Sequence, residues 1–95
     1  MSSNDQLVEY KVIISPKLDK ILKKQKRKNP QIALEIEKQI NKVANFPEVG
    51  KPLRHDMKHQ RRVHIGSFVL TYEIWEDKIL FLDFDHHDKV YKKKS

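Results

Sequence analysis

The sequence predicts an α+β fold, a helical hairpin packed on a mainly antiparallel sheet, and three observations carry that expectation. Two segments open with a polar residue followed directly by proline, Ser15-Pro16 and Asn29-Pro30, and each leads into apolar residues at helical spacing. A β-rich run, Leu7 to Ile14, precedes the first of them. From Arg62 onward the apolar period changes to two, with β-branched and aromatic residues in three successive runs. Strand, two helices, then strands in series is the order of a β-α-α-β-β-β domain.

Each element has a local cause. Leu7, Val8, Tyr10, Val12, Ile13 and Ile14 form the first strand, which ends where Ser15 can cap a helix and Pro16 gives up a donor the first helical turn does not need. Leu18, Ile21 and Leu22 mark one face of that helix, while Lys17, Lys20, Lys23, Lys24, Lys26, Arg27 and Lys28 stand against a single acid, Asp19. Asn29-Pro30 starts the second helix, whose apolar stripe is Ile32, Ile36, Ile40 and Val43. Pro47, Gly50 and Pro52 end it and predict a loop. Arg62 to Ile65, Phe68 to Trp75 and Ile79 to Phe84 are read as strands, joined by turns at Gly66-Ser67 and Glu76-Asp77-Lys78. One domain is expected over residues 7–91, with a polar tail at 1–6 and a basic tail at 92–95.

With 95 residues the chain has room for one core. It contains no cysteine, so a disulfide framework, a thiol nucleophile and a Cys-type zinc site are all excluded. Its apolar stretches, such as Ile79 to Leu82, are far shorter than the roughly 20 residues needed to cross a bilayer, and a cytoplasmic protein with no membrane partner is expected. A formal charge of +7 and a pI of about 9.7 make polyanions the natural partners, because neutralising phosphates releases condensed counterions.

Certain residues, in order, carry a family resemblance. Tyr10-x-Val12-x-x-Ser15, the Phe46-Pro47 helix end, Gly50-x-Pro52-Leu53, Arg62-x-His64-x-Gly66-x-Phe68 before Tyr72, and Asp85-His86-His87-x-x-Val90-Tyr91 together resemble the RelE/ParE toxin superfamily over residues 8–91. That resemblance implies a toxin of a type II toxin–antitoxin module, a small acidic antitoxin as partner and, in the RelE branch, ribosome-dependent cleavage of mRNA. It also implies that Arg62 and His64 occupy positions where the family binds substrate phosphates, with histidine standing at 64 where a lysine or arginine is usual. Tyr91 matches a tyrosine that can stack on a base. Val69 stands where the family often has an arginine, and His86-His87 stands where it commonly has a His-Arg pair.

The residues themselves suit the same chemistry. Attack by a 2′-hydroxyl needs a base, an acid for the leaving oxygen and cations facing the phosphate. Histidine serves in either proton role because its ordinary pKa of about 6.5 lies near neutrality. The expected catalytic group is Arg62, His64, His87 and Tyr91, with Arg54, Lys58 and Arg61 guiding phosphates and neither cofactor nor metal taking part. Alternation puts Arg62 and His64 on one face of their strand and Val63 and Ile65 on the other. On the last strand it groups Asp83, Asp85 and His87 on one face, against Leu80, Leu82, Phe84 and His86 on the other. Trp75, Phe81 and Phe84 are read as packing residues. His55-x-x-x-His59 and the cluster Asp83, Asp85, His86, His87 and Asp88 are the only metal-ligand patterns, and both are read as structural. The competing reading is a non-catalytic or ParE-like member that inhibits a ribosome or topoisomerase by binding, or a degenerate toxin kept as an antitoxin partner.

Overall fold

Ser15 stands at the junction that sets the architecture, between β1 (Lys11–Ile14) and α1 (Pro16–Lys28). Its hydroxyl accepts the Leu18 N–H at 3.0 Å, capping the helix as the sequence predicts, and donates to the Leu82 carbonyl at 2.7 Å. Asn29 caps α2 (Pro30–Asn45) in the same way, at 3.4 Å from the Ile32 N–H. A single turn of 3-10 helix follows at Pro47–Val49, then the two-residue β2 (Lys51–Pro52), β3 (Gln60–Ile65), β4 (Phe68–Trp75), β5 (Lys78–His86) and the short α3 (His87–Lys92). This computed structural model describes residues 9–52 and 60–92.

The strands form one sheet in the order β1-β5-β4-β3-β2. β1 pairs parallel with β5, which the chain reaches only after the helical hairpin and β2, β3 and β4, and every other pairing is antiparallel. Directly paired residues share a face, so the register sorts the sheet into two sides. Arg61, Tyr72, Phe81 and Ile14 lie on one side, as do Val63, Leu70 and Phe84; this side receives the helical hairpin. Leu18, Ile36 and Val43 from the helices meet Ile65, Leu70, Tyr72, Ile79, Phe81 and Phe84 in a core whose members are at most 8% exposed. Burial of each such side chain is worth about 1.5–3 kcal/mol. Lys51, Arg62, Thr71 and Asp83 form a row across the opposite, open side, and His64, Val69 and Asp85 form the next.

Four expectations are corrected. First, β5 does not alternate regularly: Thr71 pairs with Asp83 while Tyr72 pairs with Phe81, so Leu82 is an extra residue that shifts the phase. Phe81 is therefore fully buried on the helix side, whereas Leu80, expected beside Phe84, pairs with Glu73 and Ile13 on the open side. The Leu82 carbonyl at this bulge is the one that Ser15 binds. Second, residues 51 and 52, expected as loop, pair with Arg62 and Arg61. Third, His87 opens a helix instead of extending the strand, and Lys92, expected in the tail, is the last residue of that helix. Fourth, Trp75, read as a packing residue, is 48% exposed, its indole N–H donating to Glu73 at 2.7 Å.

One contact fixes the loop that carries β2. The Tyr72 hydroxyl donates to the Pro47 carbonyl at 2.6 Å and accepts the Gly50 N–H at 3.0 Å. Gly50 is required there, because a Cβ would stand 2.5 Å from that hydroxyl and 2.7 Å from the Arg62 carbonyl. The tyrosine thus holds Lys51 in register with Arg62.

Candidate nucleic-acid interface

Cations and imidazoles gather at one corner of the open face. Arg62 and His64, two residues apart on β3, project to the same side, as the sequence predicts. Lys51 is brought beside Arg62 by β2, and the Arg62 guanidinium lies 3.5 Å from the Lys51 carbonyl. His87, at the first position of α3, stacks on His64 with ring centroids 5.6 Å apart and planes 28° from parallel. Burial, followed by the positive charges of Arg62, His87 and Lys51, holds the His64 pKa below the usual histidine value. A cleft of about 310 Å³ opens between α2 and β3, lined by Gln39 and Lys42 of α2 together with Lys51, Arg62, Val63 and His64. A second cleft of about 460 Å³ continues from Gln39 and His64 along α2 to Phe68.

Arg62, His64 and His87 thus come together as expected, and Lys42 and Lys51 join them. Neither lysine was legible as part of a site, since β2 lies within a stretch dominated by proline and glycine signals and Lys42 is one polar residue on a helix. Arg61, expected to guide phosphates, points to the opposite side of the sheet and donates to the Gly50 carbonyl, with the Glu48 carbonyl at 3.5 Å. Tyr91 has its backbone in α3. Arg54 and Lys58 lie outside the described residues, as do His55 and His59.

The remaining members of the C-terminal cluster have local work. His86 lies on the helix side, edge-on to Phe68 at 5.5 Å, and its Nδ1 accepts the Asp88 N–H at 3.3 Å. Asp83 and Asp85 each accept the N–H of the following residue at 2.8 Å, and Asp83 is also 3.1 Å from Lys17. These aspartates stand two strands away from Arg62 and His64, about 10 Å at ordinary strand spacing, so they border the basic corner without covering it. Among the described residues no three histidines or carboxylates are grouped so that they could hold a metal ion.

A small mixed sheet backed by a helical hairpin is the fold of a class of compact toxin domains, and the comparisons agree. Residues 12–91 match the family described as "ParE toxin of type II toxin-antitoxin system, parDE". The chain belongs to the RelE/ParE toxin superfamily, the toxins of type II toxin–antitoxin systems. It is 41% identical over 89 residues to "Putative toxin RelE4" of Methanocaldococcus jannaschii, covering 90% of this chain and 95% of that one. An uncharacterised protein of Methanosarcina mazei is 34% identical over 85 residues, covering 86% and 99%. Among solved structures, a chain of the toxin–antitoxin complex RelBE2 from Mycobacterium tuberculosis superposes with a TM-score of 0.68 at 25% identity, over 83% of this chain and 99% of that one. The YoeB/ParE toxin from Agrobacterium tumefaciens gives 0.70 at 14% identity over 81% and 98%, a likeness of fold.

Proposed function

We propose that this toxin is a metal-independent endonuclease that cuts mRNA on the ribosome, at the corner formed by Arg62, His64, His87 and Lys51, and that a small acidic antitoxin neutralises it. The observation that carries the reading is the stacking of His87, from α3, on His64 of β3, with Arg62 two residues along the same strand and both Arg62 and His64 lining one cleft. His64, held toward its neutral form, takes the proton of the 2′-hydroxyl as that oxygen attacks the adjacent phosphorus. Arg62 and Lys51 offset the charge that builds on the phosphate oxygens. His87 serves as the acid for the departing 5′-oxygen, leaving a 2′,3′-cyclic phosphate and a free 5′-hydroxyl. Tyr91 stacks on a base, and Arg54 and Lys58 guide the flanking phosphates.

The test is cutting of a defined mRNA on translating ribosomes. The purified chain cleaves it, prior treatment of the chain alone with EDTA followed by its removal leaves the rate unchanged, and His64→Ala or His87→Ala lowers the rate by about 10²-fold or more. Loss of activity after that treatment, restored by adding back zinc or manganese, contradicts the metal-free assignment.

A specific observation supports a second reading. Val69, paired with His64 and fully buried, puts an apolar side chain where the superfamily often has an arginine. A ParE-like inhibitor that acts by binding a topoisomerase needs no such charge. Uncut message, together with inhibition of DNA supercoiling by the purified chain, selects that reading.

A further inference from the structure

The outer face of α1 takes no part in the sheet site. Seven of its residues are cationic, and three of these have acidic partners: Lys17 with Asp83 at 3.1 Å, Lys23 with Asp19 at 3.2 Å and Lys26 with Glu37 at 3.4 Å. Lys20, Lys24, Arg27 and Lys28 are exposed and form no ion pair among the described residues. Their spacing is i, i+4, i+7 and i+8, so at about 100° per residue they fall within an arc of about 100°, a single stripe about 12 Å long. The stripe is centred about 130° around the helix from buried Leu18, so it lies on the outer flank of α1 and not on the face that enters the core. Like charges four residues apart oppose helix formation. Arg27 and Lys28 gain from the helix C-terminus, but Lys20 and Lys24 are too far from it to do so.

From this geometry we propose that the outer stripe of α1 is a second, non-catalytic contact for the phosphate backbone of double-helical RNA. The stripe consists of lysines and one arginine, with no aromatic or apolar anchor among them. Protein interfaces are depleted in lysine and depend on buried anchors, whereas phosphate contacts are made by such cations alone. The lack of an aromatic platform also disfavours single strands, which bind by stacking as well as by charge. A strand lying in the sheet cleft cannot reach the stripe without passing around the domain, so the partner is a separate or folded RNA segment. The choice of RNA over DNA rests on the reading of the sheet site given above; the phosphate contact does not.

The experiment measures binding of the full chain to a blunt 20-base-pair RNA duplex by fluorescence anisotropy over a range of salt, with a DNA duplex of equal length and poly-glutamate as further arms. The triple variant Lys20→Gln, Lys24→Gln, Arg27→Gln binds the RNA duplex at least about tenfold more weakly, and its slope of log K against log salt is shallower by about 2–3, near 0.9 per lost phosphate contact. Lys20→Arg with Lys24→Arg retains the native affinity, and circular dichroism shows α1 intact in the triple variant. His64→Ala with His87→Ala leaves duplex affinity unchanged, so loss of RNA cutting and loss of this contact are separately readable. The proposal is overturned by an unchanged salt slope in the triple variant. Tighter binding to the DNA duplex, or a loss confined to poly-glutamate, overturns it in favour of DNA or an acidic protein partner.

Discussion

His64 shows how one side chain acquires a role from its surroundings. Its pKa is lowered, so the folded protein binds a proton less readily than the unfolded chain, where histidine titrates near 6.5. Above that pH both states are neutral and His64 adds no pH dependence. As pH falls below it the unfolded chain takes the proton first, and stability declines until the folded pKa is passed. Followed by NMR, the His64 ring therefore titrates below 6.5 in the folded protein, and Arg62→Met moves it upward; a midpoint unmoved by that change contradicts the charge coupling. Gly50 and Tyr72 show the steric counterpart. Gly50→Ala drives a methyl into the Arg62 carbonyl and is expected to cost about 1–3 kcal/mol, read from urea unfolding. Tyr72→Phe costs a similar amount, about 1–3 kcal/mol, by leaving the Gly50 N–H and Pro47 carbonyl without that partner.

At the scale of elements, the two helix caps look equivalent in sequence and differ in the fold. Ser15 caps α1 and also satisfies the Leu82 carbonyl at the β5 bulge, so it joins a helix start to the irregularity that sets the phase of Phe81 and Phe84. Asn29 makes one longer, exposed bond. Ser15→Ala should cost about 2 kcal/mol and Asn29→Ala about 0.5 kcal/mol. Equal losses in chemical denaturation would show that the bulge contact adds nothing. The bulge also leaves Asp83 on the open face beside Thr71 while Phe84 enters the core.

For the whole molecule, charge is distributed with a direction. The open face has a basic corner, at Lys51, Arg62 and His64, bordered by Asp83 and Asp85 two strands away. On α1, Asp19 and Glu37 pair with Lys23 and Lys26, while Lys20, Lys24, Arg27 and Lys28 are exposed. In the proposed function, about three phosphate contacts at the sheet corner give single-stranded RNA binding a slope of about −2 in log K against log salt. Titration of an unstructured oligonucleotide against salt checks this, and a slope near zero removes the corner as a phosphate site. No helix among the described residues is long and apolar enough to cross a membrane.

Local signals along the chain account for the helix starts at Pro16 and Pro30, the run of strands after them, the shared face of Arg62 and His64, and the charge. Each of these depends on neighbours within a few residues, through capping, proline geometry and side-chain periodicity. Tertiary structure decided what depends on pairing between distant segments. The extra residue at Leu82 is invisible to a period-two reading and exists only as a register against β4. Lys51 reaches Arg62 because Tyr72 holds the intervening loop, and Arg61 is drawn to that loop's carbonyls instead of to the cleft. His87 meets His64 because the chain bends into a helix at the end of β5, bringing side by side two rings that are 23 residues apart in sequence.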